Sequence, residues 1–188
     1  CEWVLDYKQT FAIITIFVYF MFFNIKEGCI SNIQTSQAGS MTTKGVPNDL
    51  FHNFNPLTII VLIPILDFGF YPLLRKLKIE FKPVHRIAFG FFLGAISQVV
   101  GAVLQYKVYK TSPCGYYATN CEVAPYTSPL SAWLEVILYI LQSAGECFAN
   151  TTAYELAYTR SPPQMKGLVM ALFLCMSAIS AAISLALV

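Results

Sequence analysis

Long apolar runs separated by short polar connectors dominate this chain. Five runs approach or reach the length of a bilayer-spanning helix: Phe11–Phe23 with polar extensions, Pro56–Leu74, Ile87–Leu104, Ala132–Ala149 and Leu168–Val188. The hydrocarbon core is about 30 Å thick and a helix rises about 1.5 Å per residue, so roughly 20 residues cross it. Closed β-barrels are the alternative in lipid, but their short strands alternate apolar with polar positions. These runs do not alternate. The pattern predicts an all-α membrane protein with about five transmembrane helices. The first run covers only about 20 Å at helical rise, and Asn24, Lys26 and Glu27 follow it directly. A wholly lipid-facing helix does not tolerate such groups, whereas one facing a water-filled cavity does. The segment Cys29–Met41, rich in Ser, Thr, Gln and Asn, is expected to continue that helix above the membrane.

Composition excludes a soluble domain. Apolar residues make up 56% of the 188 positions and charged residues 12%, about half the usual charged share, and the mean hydropathy is +0.59. A net charge of +2 is too small to suggest a nucleic-acid partner. Lys and Arg collect on the cytoplasmic side of membrane proteins. Arg75, Lys76, Lys78, Lys82 and Arg86 share the loop between the second and third runs. Placing that loop inside puts Lys8, Arg160 and Lys166 inside as well, and leaves Lys26, Lys44, Lys107 and Lys110 outside. The split predicts a multi-pass protein whose N-terminal end is cytoplasmic. Because the chain begins at Cys1 and stops within an apolar run at Val188, residues 1–188 are expected to be part of a larger transmembrane bundle, incomplete at both ends.

The expected outer loop, Tyr106–Pro129, carries Cys114 and Cys121, which either close a small disulfide loop in an oxidising exterior or remain free thiols. No second Cys pair or His pair stands at zinc-ligand spacing, so no metal is expected. His52 and His85 both fall in expected loops. No phosphate loop, Ser-His-Asp constellation or HExxH occurs, so an enzyme reading has no residues to rest on.

Ionisable groups inside the runs carry the most information, because a charge at the bilayer centre costs about 2.5–3.5 kcal/mol even on insertion scales. Glu146 lies near the middle of the fourth run, and Asn150 shares its helical face four residues on. Such a carboxylate serves as a proton carrier or as a partner for a substrate ammonium; the plain alternative is a structural hydrogen bond between helices. Asp67 lies in the cytoplasmic half of the second run and Lys8 at the base of the first. A Lys8–Asp67 pair would neutralise both, either as a gate or as a static salt bridge. Glu135 is expected to reach water near the outer end and Glu155 to pair with Arg160. The stripe Gly90, Gly94, Ser97 and Gly101 predicts close helix contact, and Pro64 and Pro72 predict bends in the second helix.

Several strings resemble the proton-dependent oligopeptide transporter family of the major facilitator superfamily, and the fungal di- and tripeptide permeases within it. They include Lys8-Gln9-Thr10-Phe11, Ile33-Gln34-Thr35-Ser36-Gln37, Asn53-Phe54-Asn55-Pro56-Leu57-Thr58-Ile59-Ile60, Gly145-Glu146-Cys147-Phe148, and Ala153 through Pro163. The likeness extends over essentially the whole chain. It implies that the five helices are the seventh to eleventh of twelve, most of the C-terminal six-helix bundle, with the N-terminal half of the binding site contributed by another part of the protein. It further implies that Glu146 meets the peptide's amino end, that Asn55 bonds its backbone, and that Asn150 is a neighbouring polar position. Phe20 and Phe173 fall where relatives line the cavity with Trp, and Lys8 and Asp67 match a basic–acidic gating pair. The function expected is proton-coupled symport of di- and tripeptides across the plasma membrane, with the proton as coupling ion and no cofactor. The 188 residues alone are not expected to transport. Rival readings keep the fold but carry nitrate or another small metabolite, or make the protein a non-transporting membrane sensor.

Overall fold

The computed structural model describes the backbone of residues 2–47, 49–78, 81–120 and 127–187, and omits the side chains of 2–10, 12–14, 16, 30, 49 and 119. Five long helices organise it: α1, Glu2–Gly39; α2, Leu50–Lys76; α3, Pro83–Thr111; α4, Glu135–Arg160; and α5, Lys166–Leu187. α1, α2 and α3 contain the first three expected runs, α4 takes up the fourth from Glu135 after a 3-10 turn at Ala132–Leu134, and α5 carries the fifth as far as Leu187. Among the described residues α2, α3 and α5 are long and apolar enough to cross a membrane. α4 has the length, 26 residues, but Gln142, Ser143, Glu146, Asn150, Thr151 and Thr152 dilute its apolar run. α1 continues through the polar segment as expected, reaching 38 residues.

The ends of the helices follow local chemistry. Ser40 stops α1 by returning its Oγ to the Gln37 carbonyl at 2.7 Å. Pro83 opens α3 after an extended Lys82, a position where the missing proline N–H costs nothing. This puts His85 in the first turn of α3 rather than in a loop, and α3 runs to Thr111, so the following connector starts at Ser112 and not at Tyr106. Part of that connector departs from the all-α expectation. A short strand β1, Met41–Thr42, pairs in parallel with β2, Ser128–Ser131, and Thr42 Oγ1 donates to the Ser128 carbonyl at 2.7 Å.

Cys114 is disulfide-bonded, so of the two expected states it takes the oxidised one; the expected partner, Cys121, lies outside the described residues. A bond to Cys121 would close a short loop and limit the unfolded chain by about 2–3 kcal/mol. Replacing Cys114 with Ser is expected to lower the thermal midpoint of the purified protein without reductant. In dithiothreitol the variant and the parent should melt together.

α2 does not simply bend at its prolines. Between α-helical stretches Phe54–Ile65 and Tyr71–Lys76, residues Leu66–Phe70 form a π turn, and Tyr71 N–H bonds to the Leu66 carbonyl five residues back. Pro72 has no N–H, and in a regular helix its ring would press on the carbonyl of Phe68. Widening one turn relieves that pressure, and Asp67 sits within the widened turn.

The chain divides into two compact units. One comprises residues 1–32 and 150–188, the other residues 33–149. In the first, α1 meets α5 along a polar seam. Asn24 Nδ2 donates to Ser177 Oγ at 3.2 Å, Ser180 Oγ donates to the Met21 carbonyl at 3.0 Å, and a Cβ on Gly28 would stand 2.5 Å from Ser184 Oγ. Ser177, Ser180 and Ser184 share one face of α5 by helical spacing. They supply partners for Asn24 and for the Met21 carbonyl of α1. In the second unit α3 and α4 touch through glycine. A Cβ on Gly90 would lie 2.8 Å from both Ala149 N and the Gly145 carbonyl, and one on Gly145 would lie 3.0 Å from the Gly90 carbonyl. Ser97 Oγ continues the contact by donating to the Leu138 carbonyl at 3.3 Å. The stripe expected to pack closely does so.

Candidate functional site

Two apolar clusters in the 33–149 unit frame a polar one. One collects Phe51, Leu104, Val108, Leu138 and Tyr139; the other collects Leu66, Cys147 and Phe148, with Phe148 ringed by Phe70 at 5.7 Å and Phe89 at 5.1 Å. On α4, Ser143 and Glu146 fall between these clusters in sequence. Opposite them α2 presents Asn55 in its first helical turn, where Pro56 is tolerated because no N–H is needed. Asn55 Nδ2 donates to Glu146 Oε1 at 3.2 Å. Ser143 Oγ stands 2.7 Å from Asn55 Oδ1 and 2.7 Å from the Tyr139 carbonyl, its one proton shared between them. The amide is thereby held from both ends. Asn55 and Glu146 are half-buried. A neutral amide orients the carboxylate without neutralising it, which leaves an acceptor suited to a cationic ligand or a proton.

The same face of α4 extends toward the start of the helix through Gln142, Tyr139 and Glu135, at intervals of four, three and four residues. Glu135 was expected to reach water but is completely buried, because the polar extension of α1 covers it. With its amide turned to face Glu135, Gln37 Nε2 donates to Oε1 at 3.2 Å while its oxygen accepts from Gln105 N–H at 3.0 Å. Glu135 Oε2 meets no protein donor among the described residues. Ser143 and Gln37 are site-shaping residues that the sequence reading did not select, although the spacing from Glu135 to Glu146 was a readable signal. Glu135→Ala is expected to cost about 2–4 kcal/mol, since it leaves a cavity and an unpartnered amide. Glu135→Gln preserves shape and hydrogen bonding and should cost far less. Melting midpoints of the two variants, compared side by side, check this.

The remaining candidates lie elsewhere. Phe20 and Phe173, expected to line a cavity, are 1% and 2% exposed. They meet edge-on at 5.8 Å within an aromatic group that adds Phe17, 5.0 Å from Phe173, and Tyr154, 4.8 Å from it. Asn150 is half-buried, one turn beyond Glu146 on α4. Asp67 is exposed, and its expected partner falls outside the description because the Lys8 side chain is not among the described ones.

Comparison with known proteins places this geometry in a lineage. The family model described as "POT family" matches residues 2–188. The chain is 60% identical over 186 residues to "Peptide transporter PTR2" of Candida albicans, covering 99% of this chain and 29% of that protein. It is 47% identical to "MFS-type transporter ucsM" of an Acremonium species, covering 97% and 30%, and 38% identical to "Probable peptide transporter ptr2" of Schizosaccharomyces pombe, covering 96% and 29%. The chain thus spans under a third of the length of these relatives. Its fold is similar to that in the crystal structure of the POT family transporter PepTSo, with a TM-score of 0.71 at 19% identity over 97% of this chain and 33% of that one. With the family match extending from residue 2 to the last residue, this chain belongs to the POT family.

Proposed function

We propose that the protein carrying this chain is a proton-coupled symporter of di- and tripeptides, and that this chain contributes part of the C-terminal half of its cavity, helices seven to eleven of twelve. The observation that supports the reading is the Asn55–Glu146 contact. A short peptide is a zwitterion with any side chain, so its carrier must grip the termini and backbone. Glu146 would take the ammonium and Asn55 the backbone, and Asn150, Phe20 and Phe173 would be the further substrate-binding positions. The carboxylate's cationic partner comes from the N-terminal half. Lys8 and Asp67 would act as a cytoplasmic gate in a plasma-membrane protein whose two halves rock about a midplane site. The proton is the coupling ion, and no cofactor is required.

A second reading keeps the fold and changes the cargo to another small metabolite. It draws on the relative from Acremonium, whose name specifies a transporter but no peptide. Uptake of a labelled dipeptide into vesicles holding the full-length protein, with an inward proton gradient, separates the two. Gradient-dependent uptake is expected. Its absence in correctly inserted protein would move the second cargo, or a sensor role, to the front.

A further inference from the structure

Outside the candidate site, the largest concentration of charge lies in the turn between α2 and α3. From Arg75 to Arg86 the sequence holds five Lys or Arg residues and one Glu; that Glu, at position 80, lies outside the described residues. Just past α2, Lys78 takes a positive φ of 55°. Arg75, Lys78, Lys82 and Arg86 line a cavity of about 420 Å³ whose other walls are Tyr71, Leu74 and Phe81. Arg86 is fixed there, its Nε donating to the Phe81 carbonyl at 3.0 Å and its guanidinium lying 4.6 Å over the Tyr71 ring.

Four cationic side chains line one cavity, and the turn holds five Lys or Arg against one Glu, a surplus of positive charge that favours an anion. Arg and Lys together suit phosphate, the first by its planar fork and the second as a point charge. The walls narrow the choice further. A free anion has no use for Tyr71, Leu74 and Phe81, whereas an amphiphile does. The cavity also stands where two helices long and apolar enough to cross a membrane end and begin, the level at which headgroups meet acyl chains when such helices span a bilayer. Its size falls within the range of small-ligand sites. We infer that this cavity binds the phosphorylated headgroup of an anionic phospholipid, on the leaflet that the Lys and Arg distribution marks as cytoplasmic. The lipid would tie the turn between α2 and α3 to that leaflet. The inference is independent of which cargo is carried.

The test uses the full-length protein in detergent, with binding of dioctanoyl phosphatidylinositol 4-phosphate followed by native mass spectrometry. Arg75→Gln combined with Lys82→Gln is expected to weaken binding on the order of tenfold. Lys107→Gln combined with Lys110→Gln removes the same charge at the other end of α3 and should leave binding unchanged. Equal losses in both pairs would mean diffuse attraction and would overturn the site. Dioctanoyl phosphatidylcholine binding as well as the anionic lipid would overturn it too. Inositol 1,4-bisphosphate or inorganic phosphate displacing the lipid at concentrations equal to its own would identify a free-phosphate site and overturn the lipid assignment. Should the double variant prove unstable, Arg75→Gln and Lys82→Gln taken singly, each expected to lose about threefold, carry the same decision.

Discussion

Glu146→Gln in the full-length protein is expected to reduce proton-driven dipeptide uptake by about ten- to a hundredfold. The substitution is close to isosteric, and the Gln Oε1 still accepts from Asn55 Nδ2, now 3.2 Å from the carboxylate. What disappears is the charge. A hydrogen bond to a charged group contributes about 1.5–3 kcal/mol, and about 1.4 kcal/mol is tenfold in an equilibrium constant. The cargo itself offers a sharper test. An N-acetylated dipeptide lacks the ammonium, so its uptake, where measurable, should hardly change on Glu146→Gln. A variant that transports both cargoes at the parental rate would remove Glu146 from the site. Asn55→Leu keeps the bulk but loses both amide contacts, and should raise KM for either cargo.

The second large effect concerns packing. Gly90→Leu is expected to prevent the α3–α4 contact from forming, and Gly90→Ala to cost about 1–3 kcal/mol. A Cβ at this position would meet Ala149 N and the Gly145 carbonyl at 2.8 Å. Those are backbone atoms, which cannot rotate away as a side chain does. Gly69 and Gly167 serve as controls, because a Cβ at either meets nothing within 4 Å. Alanine there should be neutral or slightly stabilising, given its higher helix propensity. Thermal midpoints of the three alanine variants decide the matter. A Gly90→Ala protein as stable as the parent would mean that the two helices do not approach as described.

These two predictions rest on different kinds of information. The glycine stripe was legible in the chain, because residues three and four apart share a helix face whatever the helix packs against. Its partner was not. Gly145 lies on α4, and no periodicity within one helix names the residue that faces it on another. Asn55 and Glu146 follow the same logic. Each was selected from the sequence, one as a charge within an apolar run and the other through family resemblance. Their contact across 91 positions, and the role of Ser143 in fixing the amide, required the packed helices.

Several readings differ from the structure for physical reasons that can be named. Glu135 lies near the end of an apolar run, which argued for water. The polar extension of α1 instead shields it and supplies Gln37, a tertiary effect that hydropathy along α4 does not contain. Among the polar groups after the first run, Asn24 finds Ser177 on α5, a partner that no pattern within α1 names. Two prolines predicted bends in α2, while the backbone answered with a π turn, because widening a helix also relieves the proline ring.

By itself, the sequence determined the membrane-protein character, the five long helices and the residue types that any site must use. These depend on composition and on the 3.6-residue period, both local properties. Only the tertiary structure decided which carboxyl is shielded and which remains half-exposed, which glycine meets which backbone, and how the cations between α2 and α3 enclose a cavity. Those outcomes depend on contacts between distant segments, and a helix carries no local record of the neighbour that buries it.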